Sequence, residues 1–402
     1  MSASERRALG PVLAVIAGNV LFGTGLIFHA FLYNFYLEAL HLSSEVMGYA
    51  AAALAGGGLV TLLPAGAFTD RAGSRAAVTT AAVVVAVGLA LGAVAVTPLA
   101  LYAAAAVAGA GSGIWRVAMP PILMGLTEPG TRARAFAWNV GLLVVWGGLG
   151  TALAGATSGW LEHGWGFQQL AAVRGTLLLG AVGSATSLLV FGRLRVPEHA
   201  APLAAPAAQS AQVGTSMLAT RPMLLNVGLV AVWMLGPALA APFFNIFFAR
   251  EHRLSIERIG FILAAANVCW AIAVLASGEL ARRVGVGRVL VSLLFFAPAM
   301  WGLSFAGTVE LAVMLYWLQG VIAPVTNPLI DQWLLGQTPR ERQGAVSSWR
   351  QVAADGSAMV GASVGGRLLE GGAFERLFAV AGAIGFVGGL GLIARARRRP
   401  GR

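Results

Sequence analysis

The stretch Gly66-Ala-Phe-Thr-Asp70-Arg71-Ala-Gly73-Ser-Arg75 sits between two long apolar runs, and a relative of it returns 212 residues later as GELARRVGVGR (Gly278–Arg288). Gly66 and Gly278, Arg71 and Arg283, and Gly73 and Gly285 are all separated by 212. Working outward, Asn34 matches Asn245 at 211, Leu42-Ser43 matches Leu254-Ser255 at 212, and Gly48 matches Gly260 at 212. Further along, PGTRARA (Pro129–Ala135) matches PRERQGA (Pro339–Ala345) at 210, and GTALAG (Gly150–Gly155) matches GASVGG (Gly361–Gly366) at 211. A constant offset spread over many segments reads as an internal repeat of about half the chain, with both halves running in the same sense.

Composition places that repeat in a membrane. Of 402 residues, 58% are hydrophobic and 11% charged, whereas a soluble domain carries roughly a quarter charged residues. A spanning helix needs about 20 apolar residues. Twelve such runs can be drawn: 11–37, 46–68, 77–96, 99–125, 135–157, 175–191, 222–248, 259–280, 289–306, 310–335, 345–366 and 377–393. The first is too long for the apolar part of a signal peptide and has no cleavage signal, so it is taken as a spanning helix. The fold class is therefore an all-α membrane protein, twelve transmembrane helices in two parallel-repeat six-helix bundles. The expected domains are 1–192, a linker at 193–221 rich in Ala, Pro, Gln and Ser, and 222–402.

The net charge of +11 invites a nucleic-acid reading, but its distribution opposes it. All 27 basic residues are arginine, most lie in short gaps between apolar runs, and no basic patch is interleaved with aromatics. With the N-terminus inside, nineteen arginines fall on the cytoplasmic side and six opposite, while Arg116 and Arg350 fall within helices. The positive-inside rule thus predicts an integral protein of the cell membrane with both termini cytoplasmic. The single cysteine, Cys269, lies in an apolar run, which excludes an intrachain disulfide and a cysteine-based metal site.

The loop Gly66–Arg75 has the form Gly-x-x-x-Asp-Arg-x-Gly-x-Arg, with a degenerate copy in which Arg282 replaces the aspartate. In this, in its twelve helices and in its central linker, the chain resembles the major facilitator superfamily of secondary transporters over essentially its whole length. The resemblance implies alternating access by rocking of the two halves about a midplane site, and a cytoplasmic latch at Gly66, Asp70, Arg71, Gly73 and Arg75. Asp70 would hold the halves together near the start of helix 11. Physically, the glycines permit a tight turn, and Asp70 at a helix end can accept from a helix N-terminus or pair with an arginine. The two arginines also act as topology determinants. The family's drug–proton antiporter branch has Gly-Pro-x-x-Gly-Gly in helix 5, where this chain has Gly150-Thr-Ala-Leu-Ala-Gly155; the proline and one glycine are missing.

Charges inside the bilayer are expensive and mark function. Three are candidates for coupling: Arg116 in helix 4, Asp331 in helix 10 and Asp355 in helix 11. Asp355 lies about ten residues from its helix start, roughly 15 Å deep. Ser348, Gln351 and Asp355 share one face of that helix, and Asn327 and Asp331 share one face of helix 10. A buried carboxyl of this kind suits a proton carrier; the alternative is a structural ion pair with Arg116 or Arg350. A second tier of polar and aromatic residues could touch substrate: Asn19, His29, Asn34, Asn139, Trp146, Trp233, Asn245, Asn267, Gln319 and Asn327, with Trp115 and Trp270 beside them. The resemblance implies that helices 1, 4, 7 and 10 line the cavity. Helix packing or interfacial anchoring is the competing role for each, and a lone histidine such as His29 is more often structural than a proton relay.

These observations predict a secondary active transporter of a small organic solute, proton-coupled, monomeric, without cofactor or metal, and not an enzyme. Proton antiport of drugs or metabolites and an uncoupled permease remain alternatives. A primary pump would need a phosphate-binding Gly-x-x-x-x-Gly-Lys-Ser/Thr loop, and the chain contains no lysine. No metal cluster or Ser/His/Asp set supports a membrane enzyme. The residues do not name the substrate.

Overall fold

A computed structural model of the chain describes residues 3–194, 221–339, 342–371 and 374–397. The linker expected at 193–221 falls almost entirely outside these, as does the end of the arginine-rich tail. The described residues contain no strand. The helices are α1 (Ala3–Ala39), α2 (Ser44–Ala72), α3 (Ser74–Val94), α4 (Pro98–Gly125), α5 (Pro129–Trp165) and α6 (Gln169–Phe191). After the linker come α7 (Arg221–Ala240, continued by Ala241–Phe243 and Phe244–Arg250) and α8 (Ile256–Val284). Next is α9, in three pieces: Val286–Leu290, Val291–Phe295 and Phe296–Leu303. The last are α10 (Val309–Gly336), α11 (Gln343–Leu368) and α12 (Phe374–Arg397).

Most helices overrun the apolar stretches that announce them. Helix α5 was expected over 135–157 and runs Pro129–Trp165, because Pro129 fits the first helical position after Glu128 and Gly166 (φ 70°) caps the end. Helix α7 is not one regular rod; Pro242 sits in a short 3-10 turn, Ala241–Phe243, since proline cannot donate to the preceding turn. Among the described residues, eleven spans are apolar and long enough to cross a bilayer. The twelfth rod, α11, falls short on apolarity because it carries Ser347, Ser348, Arg350, Gln351 and Asp355. At 26 residues it is about 39 Å long, enough to span. Large apolar side chains point outward, with Leu275 84% and Phe305 82% exposed. Water would penalise such a surface, and hydrocarbon accommodates it.

The described residues form two compact units, 3–42, 53–194 and 255–264 in one, and 43–52, 221–254 and 265–397 in the other. The first turns of α2 therefore belong with the second unit, and the first turns of α8 with the first. Inside the first unit α1 packs on α5 and α6, and α3 on α4 and α6; inside the second, α7 packs on α11 and α12, and α9 on α10 and α12. The first core centres on Phe22 stacked 3.8 Å from Trp115, with Phe191 edge-on at 5.1 Å. The second has Trp233 edge-on to Phe296 at 5.4 Å.

The repeat recurs in the backbone. Gly73 and Gly285 have φ of 82° and 88° at the starts of α3 and α9, a conformation that favours glycine. His41 and Arg253, also 212 apart, are the non-glycine residues with positive φ, 58° and 51°. Ser43 and Ser255 each accept at Oγ from a backbone N–H three residues on, both at 3.4 Å. The register differs from the sequence match at one place. Arg132 donates to the carbonyls of Met124 and Thr127, and Gln343 donates to those of Leu335 and Thr338, an offset of 211 throughout. The offset of 210 read from the two prolines is off by one there, because the structural element repeated is the side chain that caps α4 and α10, not the proline.

Candidate functional site

Asp355 lies half-buried on α11 and accepts from Gln351 Nε2 at 3.1 Å, one turn earlier. Asp331 on α10 is ion-paired with Arg350 on α11. Of the alternatives open in the sequence, Asp331 thus takes the ion pair with Arg350. Arg350 and Asp355 lie about 140° apart around α11, so the pairing leaves the Asp355 face distinct from the Asp331 face. Asn327, one turn before Asp331, is half-buried between Pro324 and Pro328.

In the first unit, α1 and α5 are joined by two polar bonds. Asn19 Nδ2 donates to Asn139 Oδ1 at 2.9 Å, and Trp146 Nε1 donates to Thr24 Oγ1 at 3.0 Å. Asn19, Asn139 and Trp146, each a separate candidate in the sequence, thus fall on one seam, and Thr24 joins them. Arg116 is exposed on α4 with its guanidinium over Gly58 of α2, where an added Cβ would come within 2.9 Å. Asn34 is buried, and His29 is buried with its ring 4.0 Å from that of Tyr33.

In the second unit Trp233 is 1% exposed and fills the core against Phe296, and Trp115 does the same in the first, so packing accounts for both. Asn245 Oδ1 accepts from the next residue's N–H at 2.9 Å. Gln319 is buried and donates to the Tyr316 carbonyl at 3.0 Å. Asn267 is half-buried on α8, one turn from Trp270, whose indole packs directly on Gly320 of α10.

The loop after α2 is an exposed turn. Gly66 is half-buried, Asp70 and Arg71 are exposed, and Arg75 donates to the Gly192 carbonyl at the end of α6. Because α2 continues to Ala72, Asp70 occupies its last turn. A helix C-terminus carries partial negative charge, so its own helix does not stabilise the Asp70 carboxylate, and a cation remains the suitable partner.

One constellation was missed in the sequence. Arg367, at the end of α11, donates from Nε to Glu45 Oε1 at 3.2 Å and to Tyr49 Oη at 2.7 Å, with its guanidinium 5.3 Å from the Tyr49 ring centre. Tyr49 Oη donates to Glu45 Oε1 at 2.8 Å, and Arg250 donates to Ser44 Oγ at 3.2 Å. Beneath this clamp α2 and α11 touch backbone to backbone: a Cβ on Gly48 would lie 2.4 Å from the Ala362 carbonyl and 2.9 Å from Gly366 Cα. The repeat-related contact, Gly260 of α8 on Gly155 of α5, is looser, with Cα 3.3 Å from the added Cβ, and Glu257 there faces Gly159. The matching pairs Gly48/Gly260 and Gly366/Gly155 were visible in the repeat; that they meet crosswise was not.

The fold and these seams define a polytopic integral membrane protein built from a duplicated six-helix unit. The chain matches the family model described as Major Facilitator Superfamily over residues 13–317 and again over 234–402; it belongs to that family. A maltose permease of Geobacillus stearothermophilus is 30% identical over 236 residues, 58% of this chain and 57% of the relative, so the match spans little more than half of that protein. Among solved structures, a D-xylose-proton symporter superposes with a TM-score of 0.74 at 15% identity, over 94% of this chain and 95% of that one. A nucleoside transporter gives 0.72 at 15%, over 98% and 99%. A bacterial homologue of the iron transporter ferroportin, in an inward-facing state, gives 0.74 at 16%, over 99% and 100%. At these identities the structures bear on the fold alone.

Proposed function

We propose that the protein is a secondary active transporter that carries a small organic solute by alternating access, coupled to protons through Asp355. The observation that carries the reading is the crosswise pair of glycine contacts, Gly48 on Gly366 and Gly260 on Gly155. Each joins the start of an even-numbered helix to a helix of the other sequence half, and a rocking carrier must make and break such contacts. Membership of the family supports the same mechanism. Asp355, held by Gln351 in the least apolar helix, is the proton carrier in this reading. Asp331–Arg350 is a charge pair that fixes α10 to α11. The Asn19–Asn139 and Thr24–Trp146 seam supplies polar groups for solute.

A sugar leads the substrate list, because the 30% identical relative is a maltose permease. The protein acts as a monomer in the cell membrane, with both termini cytoplasmic and six-helix bundles at 1–192 and 222–402. Uptake of radiolabelled maltose and other sugars into proteoliposomes, with and without an imposed pH gradient, tests the proposal. Accumulation that needs the gradient supports proton coupling. Equilibration indifferent to the gradient would replace it with facilitated permeation.

A further inference from the structure

A cavity of about 480 Å³ opens among the loops that follow α7, α9 and α11 in the second unit. Its wall includes the carboxylates of Glu251 and Glu375, the rings of Phe247, Phe305 and Phe374, and the hydroxyl of Ser304. The volume lies within the range of small-ligand sites, about 300–1,000 Å³. Phe247 and Phe374 stand edge to face at 5.3 Å and are buried, so that side of the wall is rigid; Phe305, 82% exposed, forms the lip. Among the described residues neither carboxylate has an ion-pair partner, and Ser304 Oγ is buried without a hydrogen bond. Arg250, one residue before Glu251, donates to Ser44 Oγ at 3.2 Å.

We infer that this cavity is a binding site for an organic ammonium group. Aromatic faces attract a cation that is poorly hydrated, and carboxylates supply the opposite charge. Choline and ethanolamine carry such a group, free or as a phospholipid headgroup. The cavity shares no residue with the polar seams assigned to solute and proton, and the inference does not depend on that assignment.

Equilibrium dialysis of radiolabelled choline against the purified full chain tests the inference. Wild type should bind saturably, tetramethylammonium should compete, and the neutral isostere 3,3-dimethylbutan-1-ol should not. E251Q/E375Q should weaken binding about tenfold. F305A, which removes an exposed ring, should weaken it severalfold without affecting folding. Nanodiscs distinguish the sources. Suppression of choline binding by phosphatidylcholine but not phosphatidylglycerol discs identifies a headgroup site, and equal binding in both identifies a soluble amine. No saturable binding, equal competition by the neutral isostere, or unchanged affinity in both variants would overturn the site.

Discussion

Arg350 on α11 is ion-paired with Asp331 on α10, while Asp355, five residues further along α11, takes its hydrogen bond from Gln351. Asp331 and Asp355 therefore have different surroundings. A proton carrier must lose and regain its charge during each cycle, and the role proposed for Asp355 requires that of it.

Asp355→Asn should abolish accumulation of solute against its gradient while leaving downhill exchange intact. Transport in proteoliposomes as a function of pH provides the measurement. A mutant that still concentrates solute with the wild-type pH profile moves the proton site elsewhere, Asp331 being next in line.

Asp331→Asn and Arg350→Gln should each lower stability, and the double substitution should recover part of the loss. The Arg350 side chain is 19% exposed and that of Asp331 41%. The penalty for a fully buried orphan charge, about 3–5 kcal/mol, therefore falls to about 1 kcal/mol or somewhat more once solvent screening is allowed for. Thermal unfolding of the four proteins in detergent gives the cycle; additive losses would show that the pair is not coupled.

Breaking the clamp on α2 should free its first turns from α11. Arg367 and Glu45 are open to solvent, which screens the pair, so its loss should change the population by about two- to fivefold. Met47 is fully buried in that turn. In a Cys269→Ala background, a Met47→Cys probe should alkylate about two to five times faster when Arg367→Gln is added, and reversal of the charges (Glu45→Arg with Arg367→Glu) should restore part of the protection. Equal rates would remove the clamp from the gating cycle.

The glycine contacts should rank by distance. Gly48→Ala places its Cβ 2.4 Å from the Ala362 carbonyl, whereas Gly155→Ala places its Cβ 3.1 Å from that of Ile256. The first should reduce transport by about tenfold or more, through an overpacking cost of about 1–3 kcal/mol; the second should do so by a few-fold at most. Initial uptake rates at matched expression decide, and the reverse ranking would sink the argument from close approach.

Asp70→Asn should shift the conformational equilibrium toward the inward-open form. Its carboxylate sits at the unfavourable end of α2, so a cation contact of about 0.3–2 kcal/mol is the interaction at stake. Distance distributions between spin labels on α4 and α10 should show more inward-open protein in the mutant, and superposable distributions would end the latch role.

The sequence by itself determined the membrane class, the helix number and the duplication. All three rest on local quantities: runs of apolar residues long enough for a bilayer, and a constant spacing of Gly73 and Gly285, of Ser43 and Ser255, and of the loops between them. It also singled out Asp355, because one carboxylate in an apolar run is costly wherever the helix goes. What the sequence left open depends on partners far away along the chain. Arg350 could have met either aspartate, and only the packing of α10 on α11 assigned it to Asp331. Trp233 read as a ligand-facing aromatic until the fold buried it against Phe296. Glu45 and Tyr49 lie more than 300 residues from Arg367 in the sequence. They became a clamp because Gly48 and Gly366, 318 residues apart in sequence, lack the side chains that would have kept α2 and α11 from touching.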